Sequence, residues 1–323
     1  MVHASEGKMM KRAEILDATE SILEKAGFHL SQRCSSRPSC FDLAAHRQEQ
    51  LAFIKVYVNI GNVSAKDALE LQKISACFSA ACFIIGEKTR RKPLEDDTVY
   101  CRYNIHAITA KTLEDMVLHE VNPLVEAGPG GYYIELYGNL VRKRRQELEL
   151  SVGKLAEMLG ISRRTLYGYE RGMAKASVST AYKLEWILGV PVAQFVDVFQ
   201  STPKDADFFA VARRIIIKHR LLQTVFRKFA QFNFGPVRTG RAPFDFIAQC
   251  SEKELKIIVG VADKKERNVD KRTEEIISIG KIIDAQPVFI TDGEETPNNN
   301  DIFLVHCDDL AKMRCPDELI EQL

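Results

Sequence analysis

Net charge, tryptophan and long apolar runs are all scarce in this 323-residue chain, and each scarcity narrows the possibilities. The formal net charge is +1, so any attraction for a polyanion must come from a local patch. No apolar run approaches the roughly 18 residues a membrane span requires. The opening MVHASEGKMMKRAEILDATESI lacks a signal-peptide core, so a soluble, cytoplasmic protein with no membrane partner is expected. The eight cysteines include no C-x-x-C pair, which removes zinc-ribbon and dithiol redox motifs. Cys34 and Cys40, with His29 and His46 nearby in sequence, could be read as metal ligands. Reduced, semi-buried thiols are the plainer reading, and neither metal nor cofactor is assigned. Gly128-Pro129-Gly130-Gly131 lacks the Lys-Ser/Thr pair of a phosphate cradle; it reads as a tight turn into a strand, Tyr132–Leu136. The single tryptophan, Trp186, stands at helical spacing from Tyr182 and reads as a core or interface aromatic.

What is present is a globular composition, 46% hydrophobic and 28% charged, in a chain long enough for two or three domains. The most informative stretch is 140–172, LVRKRRQELELSVGKLAEMLGISRRTLYGYERG. Leu155, Ala156, Leu159, Ile161, Leu166 and Tyr169 recur at helical spacing and would bury one face. Two short helical patterns meet at Gly160, and Ser162 suits the N-cap of the second. Arg163, Arg164 and Thr165 then fall on an exposed first turn, where a reader helix meets base edges in the major groove. Arginine is shaped to engage guanine O6 and N7 together. From Leu140 to Lys175 there are nine Lys or Arg against four Glu, a basic patch in a nearly neutral chain. Ser179–Leu188 and Val192–Phe199 read as two further helices, the first ended by Gly189 and the second opened by Pro191.

The segment resembles the Cro and phage-repressor type of helix-turn-helix domain through about Phe199. Val141, Arg142 and Arg145 match the first helix, Leu150-Ser151 and Leu155-Ala156 the second, Gly160-Ile161-Ser162 the turn, and Glu170-Arg171-Gly172 the close of the reader helix. The resemblance implies a structural, partly buried ion pair between Arg145 and Glu170. Two positions depart from the pattern: Val152 replaces a frequent phosphate-binding glutamine, and Gly168 stands where a base-reaching side chain often sits.

The chain also repeats itself. Phe41-Asp42-Leu43-Ala44-Ala45 matches Phe244-Asp245-Phe246-Ile247-Ala248, each after a loop ending near a proline (Pro38, Pro243) and a helical run, Ile15–Ala26 or Arg220–Ala230. An apolar strand follows (Leu51–Val58, Leu255–Val261), then a helix (Ala65–Phe78, Val269–Ile283) and a strand (Ala81–Ile85, Gln286–Ile290). Last come Ala107–Thr109 leading to Leu113 and Leu304–His306 leading to Leu310. This order looks like the PD-(D/E)xK nuclease fold, in which two acidic residues hold Mg²⁺ and a lysine assists the attacking water. By that resemblance the vestigial positions are Asp42 and Lys55 in the first copy and Asp245 in the second. Phe53 replaces the second carboxylate, and Val259 occupies the expected lysine position. Glu14, Glu20, Glu24 or Glu49 could supply an oxygen from elsewhere, but one carboxylate per site is a poor Mg²⁺ ligand set. No enzyme is expected, with a metal-dependent DNA nuclease as the alternative.

The expected class is α/β plus all-α: two nuclease-like α/β domains, 1–127 and 204–323, flanking a five-helix helix-turn-helix domain, 128–200. Gly86–Asp97 and Thr291–Asp301 read as exposed loops in matching places. With FDLAA, the IKV strand, PGGYY and SRRTLYGYERG as landmarks, the whole chain resembles a family of archaeal helix-turn-helix transcriptional regulators. The resemblance implies sequence-specific binding of double-stranded DNA, with Arg163, Arg164 and Thr165 on bases and Arg142, Lys143, Lys154 and Arg171 on phosphates. One reader helix covers one half-site, so a homodimer on half-sites about 34–36 Å apart is expected. No small-molecule effector is identifiable.

Overall fold

A computed structural model of the chain describes residues 10–90, 92–201, 219–250, 255–263, 266, 268–293 and 301–320. These cluster into two compact units: Met1–Ile22, Tyr57–Gly61 and Ile84–Val198 in one, Leu23–Val56, Asn62–Phe83 and Phe199–Leu323 in the other.

In chain order the elements begin with α1 (Arg12–Lys25), β1 (His29–Leu30), β2 (Leu43–Arg47), β3 (Gln50–Asn59), α2 (Ala65–Phe78) and β4 (Ala81–Thr89). There follow β5 (Lys92–Pro93), β6 (Thr98–Arg102), β7 (Ile105–Ile108), α3 (Ala110–Leu118), β8 (Val125–Gly128) and β9 (Gly131–Leu136). Helices α4 (Gly138–Glu147), α5 (Val152–Leu159) and α6 (Arg163–Glu170) come next, then β10 (Ala176–Ser177), α7 (Val178–Leu188) and β11 (Ala193–Gln194). The chain continues with α8 (Arg220–Gln231), β12 (Val237–Arg238), β13 (Phe246–Cys250), β14 (Leu255–Ala262) and α9 (Val269–Ile283). It closes with β15 (Gln286–Thr291), β16 (Phe303–His306), α10 (Cys307–Lys312) and α11 (Pro316–Ile320). Among the described residues, no helix is long and apolar enough to cross a membrane.

The second unit holds the Asp-bearing strands of both repeats. Strand order β1-β2-β3-β4 in the first matches β12-β13-β14-β15 in the second. Periodicity and capping explain the helix between: Ser64 accepts from Asp67 N to open α2, which buries Leu71, Ile74 and Phe78. The two Asp residues sit alike. Asp42 N donates to Ile54 O (2.7 Å) and its carboxylate accepts from Val56 N (2.8 Å). Asp245 N donates to Val259 O (2.8 Å) and its carboxylate accepts from Val261 N (2.7 Å).

This hydrogen-bond register corrects the sequence alignment. Ile54 corresponds to Val259, so the counterpart of Lys55 is Gly260 rather than Val259. A Cβ at Gly260 would lie 2.7 Å from Ile276 Cδ1 and 2.8 Å from the Phe289 ring, so no side chain fits there without repacking.

The copies pack reciprocally within this unit. Buried Glu275 on α9 accepts from Ser35 N and Ser36 N of the first copy, both at 2.8 Å. In the opposite sense Glu70 on α2 accepts from Gly240 N (3.1 Å), and Asp67 accepts from Arg241 (2.6 Å), in the second copy. Each copy's pre-strand loop thus packs on the flank of the other's helix, the self-complementary pattern of a two-fold interface realised inside one chain. Phe41 and Phe244 meet near the middle, ring centroids 6.4 Å apart.

Two further sequence expectations fail. Val192–Phe199 is not helical: β11 pairs with β9 at Ala193–Leu136, and Glu185 accepts from Val192 N and Ala193 N. The free edge of β9 and an acceptor for both amides outcompete helix formation in a segment following Pro191. Gly86–Asp97 is not all loop, because β4 runs on to Thr89 and returns as β5 through Arg90 at φ 51°. Trp186 is 80% exposed, which rules out the core and keeps the interface alternative of its sequence reading. In the matching stretch of the second copy, 294–300 lies outside the described residues.

Arg272, only 1% exposed, pairs with Asp245 and with Glu266 (3.0 Å) while donating to Pro243 O and Val261 O. Arg272→Ala would leave half-buried Asp245 and Glu266 with Arg37 as their remaining cation and take the donor from the Pro243 and Val261 carbonyls, and should cost roughly 3–5 kcal/mol. Lys281→Ala, at an exposed pair with Asp301, should cost no more than about 0.5 kcal/mol. Equal shifts in the urea midpoints of the two variants would refute a structural role for the Arg272 cluster.

Candidate nucleic-acid interface

Strand β9 leads through Tyr137 straight into α4, the first of three helices that position the basic surface. Val141 of α4, Leu155, Ala156 and Leu159 of α5, Leu166 and Tyr169 of α6, and Leu184 and Leu188 of α7 form one buried cluster. Serine hydroxyls open the last three helices: Ser151 accepts from Lys154 N (3.0 Å), Ser162 from Thr165 N (3.0 Å), and Ser177 from Thr180 N (3.2 Å). Gly160 ends α5 at φ +71°, a left-handed conformation that favours glycine and lets the chain turn at once into α6.

Two contacts hold α4 against the C-terminal end of α6. Gly138 is so close that a Cβ there would lie 2.4 Å from Tyr169 O and 2.7 Å from Glu170 O. Arg145 meets Glu170 bidentately, Nε to Oε1 at 2.5 Å and Nη2 to Oε2 at 3.1 Å, and gives Nη1 to Leu150 O at 2.8 Å. The side chains are 9% and 4% exposed. The hydrogen bond to Glu170 and its charge raise the Arg145 pKa against the opposing effect of burial, so the guanidinium is charged at any ordinary pH. The pair is therefore internal and turned away from solvent.

The opposite face of α6 is open. Arg163, Arg164 and Tyr167 are exposed, as is Arg171 just past the helix end. Arg163, Tyr167 and Arg171 are four residues apart and form one stripe. The Arg163 guanidinium lies over Gly153 of α5, where a Cβ would come within 2.9 Å of its Nε. At the other end Arg171 stacks on the Tyr167 ring, its Cζ 4.2 Å from the centroid. Thr165 is half-buried and its hydroxyl lies 2.8 Å from Ser162 Oγ, so it belongs to the cap as well as to the first turn. Gly168 is half-buried and a Cβ there would meet nothing nearer than Ala174 Cβ at 3.5 Å.

The remaining basic residues lie on α4 and α5. Arg142 is exposed; Lys143 is 75% exposed with only a 4.0 Å approach to Glu147; Lys154 is 60% exposed and meets Glu157 at 3.2 Å. Arg144 is instead tied inward, to Leu188 O at 3.0 Å and Glu147 at 2.9 Å. Sequence reasoning passed over Tyr167. The signal was its place midway between two arginines at i−4 and i+4.

The strand-end aspartates of the two copies have cationic neighbours. Lys55 Nζ donates to Asp42 (2.9 Å) and to Ser39 O (2.6 Å). Phe53 is fully buried, edge-on to Phe41 at 4.9 Å, so hydrocarbon fills the place of a second carboxylate. Asp245 is contacted by Arg272 and by Arg37 (2.9 Å), and Arg37 also reaches Glu266 (2.6 Å). His29 and His46 are paired in register across β1 and β2, while Cys40 is buried and its thiol pKa is pushed well up by desolvation.

Comparison with known proteins gives two domain matches. The model of a PD-(D/E)XK superfamily domain matches residues 12–123, and a helix-turn-helix model matches residues 141–195. A protein of Methanocella arvoryzae is 36% identical over 293 residues, covering 89% of this chain and 88% of its own length. Relatives from Thermococcus kodakarensis and Methanosarcina acetivorans are each 32% identical over 97% of this chain, covering 95% and 96% of their own lengths. All three carry the name "Putative HTH-type transcriptional regulatory protein". With identity above 30% along nearly the full length, the chain belongs to this archaeal family of helix-turn-helix transcriptional regulatory proteins.

Proposed function

We propose that the protein regulates transcription by binding double-stranded DNA in a sequence-specific manner, with α6 in the major groove. The observation that carries this reading is the asymmetry of α6. Its inner face is fixed by the Arg145–Glu170 pair, and its outer face presents Arg163 and Arg164 to solvent. In this reading Arg163 and Arg164 take guanine edges, and Thr165 contributes a methyl contact or a short hydrogen bond beside the cap. Arg142, Lys143, Lys154 and Arg171 take phosphates, which orient the helix without specifying sequence. The small cap and Gly168 leave the middle of the helix low, so specificity concentrates at the N-terminal arginines. Two copies bind as a homodimer, because one reader helix spans only one half-site.

Selection from a random duplex pool supplies the operator. On it, Arg163→Ala together with Arg164→Ala should weaken binding by roughly 2–6 kcal/mol, about 1–3 for each arginine, and flatten base preference. Lys143→Ala should instead weaken selected and unrelated duplexes alike and make the salt dependence shallower. Unchanged affinity and preference in the double variant would refute the assignment.

The nuclease-like copies are read as scaffold rather than enzyme. Each lone Asp is already met by a cation, Lys55 or Arg272 with Arg37; Phe53 stands in place of the second carboxylate in the first copy, and Gly260 in place of the lysine in the second. A hard divalent ion would have to displace Lys55 in the first copy, or buried Arg272 in the second, to collect a single carboxylate. The PD-(D/E)XK match over residues 12–123 favours the alternative, a DNA nuclease targeted by the helix-turn-helix. Plasmid incubated with the protein and Mg²⁺ or Mn²⁺ should remain uncut. Cleavage abolished by Asp42→Asn would overturn this part of the reading.

A further inference from the structure

A cavity of about 330 Å³ opens in the first unit, beside the hairpin that delivers the chain to α4. Its wall is formed by Tyr100, Cys101 and Arg102 of β6 and by Gly128, Gly131 and Tyr132 of the β8–β9 hairpin. Its size lies at the small end of ligand pockets, roughly 300–1,000 Å³. The two phenols are pinned through one residue: Tyr132 donates to Glu95 Oε1 (2.8 Å), and Tyr100 Oη accepts from Glu95 N (3.1 Å). Arg102 is half-buried and, among the described residues, makes no ion pair. A partly desolvated guanidinium without a counter-charge favours an anion, and its planar fork matches a carboxylate. At Gly131 a Cβ would meet nothing nearer than Tyr133 Oη at 3.9 Å, so packing alone does not demand glycine on that wall.

We propose that this cavity is an effector site for a small aromatic carboxylate, held by Arg102 at its acid group and by Tyr100 and Tyr132 along its ring. The wall shares a strand with the DNA reader. β9 carries Tyr132, pairs with β10 at Ile134–Ala176 and with β11 at Leu136–Ala193, and enters α4 two residues later. Lys175, just before α7, bridges Glu126 of β8 and Glu135 of β9. A ligand that fixes the hairpin therefore biases the strand on which α4 and α7 are seated. Ligand and DNA then alter each other's affinity by the same factor. This coupling rests on the DNA-binding reading; occupation of the cavity does not.

The test uses the full chain and three probes, benzoate, 4-hydroxybenzoate and indole-3-carboxylate, each beside its neutral amide. Calorimetry should find at least one acid binding about tenfold or more tightly than its amide. Arg102→Gln should remove that advantage, and Arg102→Lys should retain part of it. The bound acid should slow alkylation of exposed Cys101 by N-ethylmaleimide while leaving half-exposed Cys307 unchanged. No binding by any acid up to about 10 mM, equal binding of amide and acid, or an unprotected Cys101 would overturn the site. Binding with no change in operator affinity would overturn its effector role. A protein that bound no duplex with or without ligand would count against the regulator reading and leave the carboxylate result standing.

Discussion

The buried pair between Arg145 and Glu170 is the constraint on which the DNA-facing half of the molecule depends. It joins the end of α4 to the end of α6 across a gap already closed by Gly138, and it takes up the Leu150 carbonyl at the start of the next turn. Hydrocarbon packing alone would let a helix as short as α6, with Leu166 and Tyr169 as its buried apolar residues, roll about its axis. A bidentate, desolvated pair does not tolerate such rolling, because a small rotation breaks two charge-assisted bonds in a place that water does not reach. The arginines at the other end of α6 therefore point outward because Glu170 points inward.

The same use of paired charge recurs in the flanking copies with a different outcome. In an active nuclease of this shape, a strand-end carboxylate is kept for a metal. Here Asp42 is met by Lys55, and Asp245 by Arg272 and Arg37. Arg37 comes from the first copy and Asp245 from the second, so Asp245 forms part of the seam between repeats. Glu70 and Glu275 reinforce that seam from the two helices in reciprocal fashion. The two copies share the backbone hydrogen bonds of the Asp-bearing strand pair, and the ionisable groups beside them are engaged in internal packing.

Much of this was legible in the sequence because strong local signals agreed with the tertiary answer. Helices α2 and α9 span the residues that apolar periodicity marks out, and the Ser-capped start of α6 follows from Gly160-Ile161-Ser162. What escaped was decided by partners distant in sequence. Val192–Phe199 had a helix-like opening at Pro191, but the unpaired edge of β9 and the Glu185 carboxylate captured its amides. The counterpart of Lys55 was misplaced by one residue, since sequence spacing between the two strands does not reveal their pairing register. Arg272 as the cation on Asp245 was unreadable for the same reason: it arrives from a helix 27 residues away. Tyr167 and its stack under Arg171 were within reach of simple helical spacing.

Hydrogen exchange with duplex binding, compared between the wild type and Glu170→Ala, tests the central account most directly. Removing Glu170 strands a buried guanidinium, so amide protection should fall across α4, α5 and α6 while α9 and β14 stay protected. Operator affinity should fall together with that protection, although residue 170 touches no DNA in this account. Full protection of α6 and undiminished operator binding in Glu170→Ala would contradict it.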